Sequence, residues 1–317
     1  MIYPQQIAAR GLDFLRHMAQ RPLAFFGFLI VCGYLLVMLT APMIAPYGFA
    51  DVLDDPNNCI TRNDQTRCAA LKNAPPSADY LMGTDRNGRD VFSRILYGTR
   101  ETIGLPMAAT ILSVLLGTIL GLAIGYYGGW IDEVVSRILD SLLAIPALIM
   151  ALVTLATIVP ALEMSENPLI QAIGAVNIAL IFVITLLYTP IVARVIRSAT
   201  LNLRDRGYVE IARLRGESTA YILFSEILPG VLPALIVEGS LRFSYAIFLV
   251  ASLGFLGLGA QPPSPEWGRM VLDARSQYAT APWALWYPVL AIAILIISVN
   301  LMSDGLQRIF RHEAERE

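Results

Sequence analysis

The sequence predicts an all-α polytopic membrane protein with six transmembrane helices, and three observations carry that expectation. The hydrophobic fraction is 56% and the charged fraction 15%, where soluble domains carry about 25% charged residues. Mean hydropathy is +0.60. Six separated apolar stretches follow one another along the 317 residues, each close to or above the roughly 20 residues a helix needs to cross a bilayer.

The first stretch, 23–45, is too long for a cleavable leader, whose apolar core runs about 7–15 residues. It reads as an uncleaved first span. Residues 1–22 precede it as a cytoplasmic or interfacial segment. There, Ile7, Leu15 and Met18 share one side of a short helix opposite Arg10, Asp13 and Gln20. That pattern suits the membrane interface, and an unstructured tail fits it nearly as well. Segment 46–100 is polar and reads as a long extracytoplasmic loop. The stretches 102–126, 134–159, 169–193, 231–258 and 284–302 supply the other spans; several contain Gly or Pro, which membrane helices tolerate. They form a permease-sized core over 101–305, interrupted by a polar loop at 194–228 and followed by a tail at 306–317.

Arginine placement sets the orientation. With the N-terminus inside, the short inner segments hold Arg10, Arg16, Arg21, Arg137, Arg194, Arg197, Arg204, Arg206, Arg213, Arg215, Arg308, Arg311 and Arg316. The short outer loops hold only Arg269 and Arg275. The 46–100 loop is basic too, but long segments translocate largely regardless of charge. Both termini are therefore expected in the cytoplasm. A net charge of −2 with basic residues spread along the chain argues against a nucleic-acid partner.

Cys59 and Cys68 lie in the expected outer loop, where a disulfide can persist. A bridge would staple a polar segment with little core of its own; two free thiols are the plainer alternative. A zinc site is weaker, because neither His17 nor His312 is near and zinc normally takes four ligands. Cys32 falls within the first span and reads as packing.

No chemistry is written in the chain. A G-x-x-x-x-G-K-[ST] phosphate loop is missing, since no glycine is followed by lysine. Gly254, Gly257 and Gly259 follow an apolar span rather than a strand, so a dinucleotide site fails. Two distant histidines leave no metal centre or Ser-His-Asp triad. An enzyme is thereby disfavoured, and no cofactor is expected in the chain itself.

The informative segment is 194–228. It reads as helix, turn, helix, broken at 204–207 and again at Gly216. Glu210 and Arg213 fall at i,i+3 and Arg213 and Glu217 at i,i+4, spacings that support charge pairs. A connector needs only a handful of residues, so a docking platform for a cytoplasmic protein explains the length better than a solvated link. Inside the fifth span, Glu238 and Arg242 stand at i,i+4. An arginine at the bilayer centre costs about 2.5–3.5 kcal/mol on insertion scales and usually faces a partner or a wet cavity. The two are expected to pair toward a pathway or a sister subunit; snorkelling to the inner interface is the alternative. Asn177 and Asn300 read as interhelical hydrogen-bonding residues.

These residues carry a resemblance. Tyr208-Val-Glu210-Ile-Ala212-Arg-Leu-Arg-Gly216, followed by Ile227-Leu-Pro229, resembles the E-A-A loop of binding-protein-dependent ABC importer permeases. Met82-Gly-Thr-Asp85 through Arg100, Gly128-Gly-Trp-Ile-Asp132 with Arg137, Asp140 and Pro146, and Leu253 through Gly268 resemble the C-type permease subunit of dipeptide, oligopeptide and nickel importers. The similarity covers the chain from about residue 20 onward. Ile211 stands where the loop has alanine, Glu217 where a small residue is common, and the Cys59–Cys68 segment is longer than the family's minimum.

The resemblance implies a type I importer-like fold in a bacterial cytoplasmic (inner) membrane. It implies a second homologous permease subunit, two cytoplasmic ATP-binding subunits holding ATP and Mg, and an extracytoplasmic substrate-binding protein. A cytoplasmic coupling helix would comprise Tyr208, Glu210, Ala212, Arg213, Gly216 and Glu217. Short peptides are the implied cargo, with nickel chelates, glycosides or other small solutes as alternatives. A stand-alone secondary transporter is the remaining competitor, although no internal repeat is visible.

Overall fold

The computed structural model describes residues 21–62 and 65–314. The interfacial helix expected within 1–20 lies outside the described residues. Helix α1 (Pro22–Ile44) opens on a proline, whose missing N–H costs nothing at a first position. A polar excursion follows and carries an antiparallel hairpin, β1 (Asp54–Arg62) and β2 (Gln65–Ala70), which the all-α expectation lacked. The register sets Cys59 opposite Cys68, and the two are bonded with Cα atoms 3.9 Å apart.

Helix α2 (Val91–Tyr127) begins well before residue 102. Asp90 caps it, accepting the Ser93 N–H at 2.7 Å, and its polar first turns pack beneath the outer cap. α3 (Gly129–Leu143) and α4 (Ala147–Glu163) replace the third expected span. The apolar run 134–159 is not one straight helix: the two halves meet at 87°. Pro146, the residue before α4, explains the break, since a proline disfavours helical geometry at the residue preceding it and donates no N–H. Asn167 caps the short α5 (Pro168–Ile173), and α6 (Ala175–Leu203) follows after Gly174 at φ +90°. The fourth span therefore starts later and ends later than 169–193.

The 194–228 loop shrinks accordingly. α6 continues to Leu203, α7 is Gly207–Leu214, and α8 runs from Thr219 to Phe255 with a π-helical turn at Ile222–Ile227. Most of the expected platform is the extension of two long helices. After α9 (Trp267–Ala274), α10 (Pro282–Ala314) extends past residue 302 and takes up most of the expected tail. Among the described residues, five helices are long and apolar enough to cross a membrane; the bent α3–α4 pair supplies a sixth crossing if its halves count as one.

The centre of the fold is the packing of α2 on α6. Gly117, Gly121 and Gly125 recur once per turn on α2. A Cβ at Gly117 would stand 2.6 Å from Val192 Cβ, at Gly121 2.6 Å from the Ala193 carbonyl oxygen, and at Gly125 2.7 Å from Thr200 Cβ. Small residues at that spacing let two membrane helices approach to backbone distance. α8 closes the layer with Ala246, Val250 and Leu253 against Leu180, Val183 and Ile184 of α6. α1 packs on α10, where Gly27 lies against the Ser298 carbonyl.

A cap locks the end of α2 opposite α7. Trp267 is fully buried, its indole N–H donating to the Ile95 carbonyl at 3.1 Å. Buried Arg94 donates to the carbonyls of Phe49, Pro263 and Ser264 at 2.9–3.2 Å. Stretch 261–270 is thus packed onto α2.

Gly121→Leu should lower the melting temperature and the membrane yield of the permease, because overpacking a tight contact costs about 1–3 kcal/mol. Gly33→Leu, where an added Cβ meets nothing within 4 Å, should leave both unchanged. Thermal stability of the two purified variants, read side by side, checks the contrast.

Candidate coupling site and intramembrane ion pair

α7 is a two-turn helix with two unlike faces. Val209 and Ala212 are fully buried against Leu122 of α2, Val192 and Ile196 of α6, and Ile222, Ile227 and Val231 of α8. Tyr208, Ile211 and Leu214, spaced by three, are exposed at 43%, 57% and 82%. A helix that buries one stripe and leaves a second apolar stripe uncovered is built to be covered by something else.

Its ends are fixed. The N–H of Gly216 donates to Arg213 O at 3.0 Å and that of Glu217 to Ala212 O at 3.2 Å, the paired closure of a Schellman turn. Gly216 sits at φ +75°, where a side chain would be strained. The charge pairs expected along α7 do not form. Arg213 turns inward, its guanidinium 4.9 Å above the Tyr126 ring, with Nη2 donating to the Arg204 carbonyl at 3.2 Å. Glu217 lies 3.7 Å from Arg215 instead. Glu210 is exposed in the first turn, where a carboxylate complements the helix dipole. The ring of Tyr126 and the Arg204 carbonyl, both brought up by the tertiary fold, take the place of the partners along the helix.

A second group of charges joins α3 to α6. Asp132 accepts from Arg197, with Nη2 at 2.6 Å, and Asp140 accepts from Arg194. Arg204 reaches the Gly125 carbonyl at 3.2 Å. Sequence reading singled out these residues without pairing them, because each pair spans more than fifty positions. Nothing local signals it.

Within α8, Arg242 Nε lies 2.8 Å from Glu238 Oε1, off the direction of a good hydrogen bond. The Arg242 guanidinium also stands 4.9 Å from the Tyr245 ring and 5.8 Å from that of Tyr188 on α6. Both charged side chains are largely buried, midway along a helix that runs from Thr219 to Phe255. Asn177 donates to the Ile173 carbonyl of its own chain segment rather than across helices.

Glu266, outside the spans, caps α9 by accepting the N–H groups of Gly268 and Arg269, each at 2.7 Å. Burial pushes its carboxyl up to about 7, against the downward pull of those two donors.

A family described as binding-protein-dependent transport system inner membrane component matches residues 101–315. The dipeptide transport system permease protein of Alkalihalophilus pseudofirmus is 36% identical over 292 residues, 92% of this chain and 86% of that one. The glutathione transport system permease protein of Pectobacterium atrosepticum is 39% identical over 235 residues, covering 74% and 73%. The protein of that name from Shigella dysenteriae is 34% identical over 307 residues, covering 97% and 92%. Among solved structures, the inward-facing MetNI methionine ABC transporter aligns at a TM-score of 0.47 and 19% identity, over 65% of this chain and 93% of that one. A family match across the membrane core, joined to relatives that align along nearly the whole length, makes this chain a multi-pass member of the binding-protein-dependent transport system inner membrane components, the permease subunits of ABC importers.

Proposed function

We propose that the chain is one of two homologous membrane subunits of an importer of short peptides, driven by two cytoplasmic ATP-binding subunits and fed by an extracytoplasmic binding protein. The observation that carries the reading is α7: one stripe sunk into the junction of α2, α6 and α8, the other apolar and uncovered. The uncovered stripe is the ATPase-docking surface, with Tyr208, Ile211 and Leu214 in the groove and Glu210 at its edge. Ala212 and Arg213 hold the helix from beneath, and Gly216 and Glu217 close it. ATP and Mg reside on the partner subunits. Supporting the cargo, the relatives named above carry a dipeptide and glutathione, itself a tripeptide, in their names.

The orientation that serves this mechanism puts both termini and α7 in the cytoplasm and the Cys59–Cys68 hairpin outside, and arginine placement supports it. The Glu238–Arg242 pair belongs to the moving part. A buried ion pair is weak support for stability, and breaking one side of it costs about 3–5 kcal/mol, so its retention mid-membrane points to the transport cycle.

Three outcomes follow. Ile211→Asp places a charge in the docking stripe: ATPase subunits should no longer copurify and ATP-dependent uptake should fall at least tenfold, with permease yield unchanged. A membrane-impermeant maleimide should label Asp205→Cys, exposed beside α7 but outside its docking stripe, only in inverted vesicles and Asp79→Cys only in intact cells; the opposite sidedness refutes the orientation. Arg242→Glu should abolish uptake. The neutral pair Glu238→Gln with Arg242→Met should fold and still transport at least tenfold more slowly than the parent; normal transport by that pair reduces the ion pair to a packing element.

A further inference from the structure

On the side opposite α7, the outer halves of α2, α6 and α8, the ends of α4 and α5 and the 260–266 segment surround a cavity of about 830 Å³. Small-molecule sites occupy about 300–1,000 Å³. Its middle is apolar, with Leu105, Leu180 and Val250 among the lining groups. Its charges are separated between elements: Arg100 and Glu101 on α2, Glu163 at the last residue of α4. Arg100 and Glu163 are exposed and make no ion pair among the described residues. Glu101 is held in place by the Ser264 hydroxyl, which donates to it. Glu266, by contrast, is committed to capping α9 and is not free for a ligand.

A chamber with an apolar middle and uncompensated charges of both signs suits a zwitterion. A short peptide is one: an ammonium group at one end, a carboxylate at the other, neutral side chains between. We propose that this cavity receives the peptide on its way in, Arg100 taking the terminal carboxylate and Glu101 and Glu163 the terminal ammonium group. A guanidinium matches a carboxylate with two parallel hydrogen bonds. Partial withdrawal from water strengthens both contacts beyond their value at an open surface. Recognition would then be made by the permease itself as well as by the binding protein. The proposal rests on the peptide cargo read above and adds how the cargo is held.

The test uses the assembled importer with all its subunits, carrying Ala108→Cys, an exposed position on the cavity wall, and measures the rate of maleimide labelling there. Millimolar trialanine should slow labelling at least threefold, and N-acetyl-trialanine amide should not. Arg100→Gln should remove the protection. Should Ala108→Cys assemble poorly, Ala175→Cys on α6 reports on the same cavity. ATP-dependent trialanine uptake, measured on the same preparation with its binding protein, separates the two levels of the argument. Uptake without protection overturns the cavity assignment and leaves the peptide reading standing. Neither uptake nor protection overturns the peptide reading itself. Equal protection by the capped peptide, or protection surviving Arg100→Gln, overturns the role of the termini.

Discussion

Everything else in the fold is hung on the contact between α2 and α6. Three glycines spaced by four let the helices meet at backbone distance, and in a bilayer this is the available route to tight association. Lipid tails are as apolar as leucine, so burying leucine between helices gains little; close van der Waals packing does the work instead. The consequence reaches the inner surface. Tyr126, which receives Arg213, lies one residue beyond Gly125, and Leu122, which packs under α7, lies one residue beyond Gly121. Moving α2 off α6 would displace the floor on which α7 stands.

Charged groups are distributed by the same logic. Where water is close, pairs such as Arg194–Asp140 are more than half exposed and contribute little to stability. Deeper, charges are surrounded. Arg94 is buried among three carbonyls, and Arg242 sits between a carboxylate and two aromatic rings. A buried guanidinium left without partners would be prohibitive, so these neighbours are conditions of its presence rather than additions to it.

How far the sequence could be read depended on range. Apolar runs report burial in lipid, and they placed α1, α2, α6, α8 and α10 to within a turn or two at most ends. Polar turns hid the true starts of α2 and α8, because a cap such as Asp90 or Ser218 lies outside the hydrophobic run. The 87° break was overlooked for the opposite reason: 134–159 is apolar throughout, and Pro146 is one residue among many that membrane helices tolerate. Within the candidate site, Gly216 was legible because a positive φ has few alternatives to glycine. Arg213 was misassigned because helical spacing offered Glu210 and Glu217, and only the tertiary structure offered Tyr126. Local rules rank local partners; they are silent about a ring 87 residues away.

The geometry suggests why a short helix suffices to move long ones. α7 buries its inner stripe in an apolar cluster to which α2, α6 and α8 all contribute, and its closing turn leads within three residues into α8. The π-helical turn at Ile222–Ile227 lies between α7 and the apolar body of α8, and it holds Ile222 and Ile227 beneath Val209 and Ala212. Turns of that kind are less regular than the α-helix on either side and concentrate at functional positions. In the coupling proposed above, a push on the exposed stripe meets a helix of only two turns with a closed C-terminus. It passes to the base of α8, and α8 carries Arg242 at its middle and lines the outer cavity with Val250. One continuous helix, α8, thus runs from the foot of α7 past the Glu238–Arg242 pair to the cavity. A two-state rocking of that helix needs only a ligand with unequal affinity for the two positions, and in the function proposed above the ATP-binding subunits closing around nucleotide supply that bias.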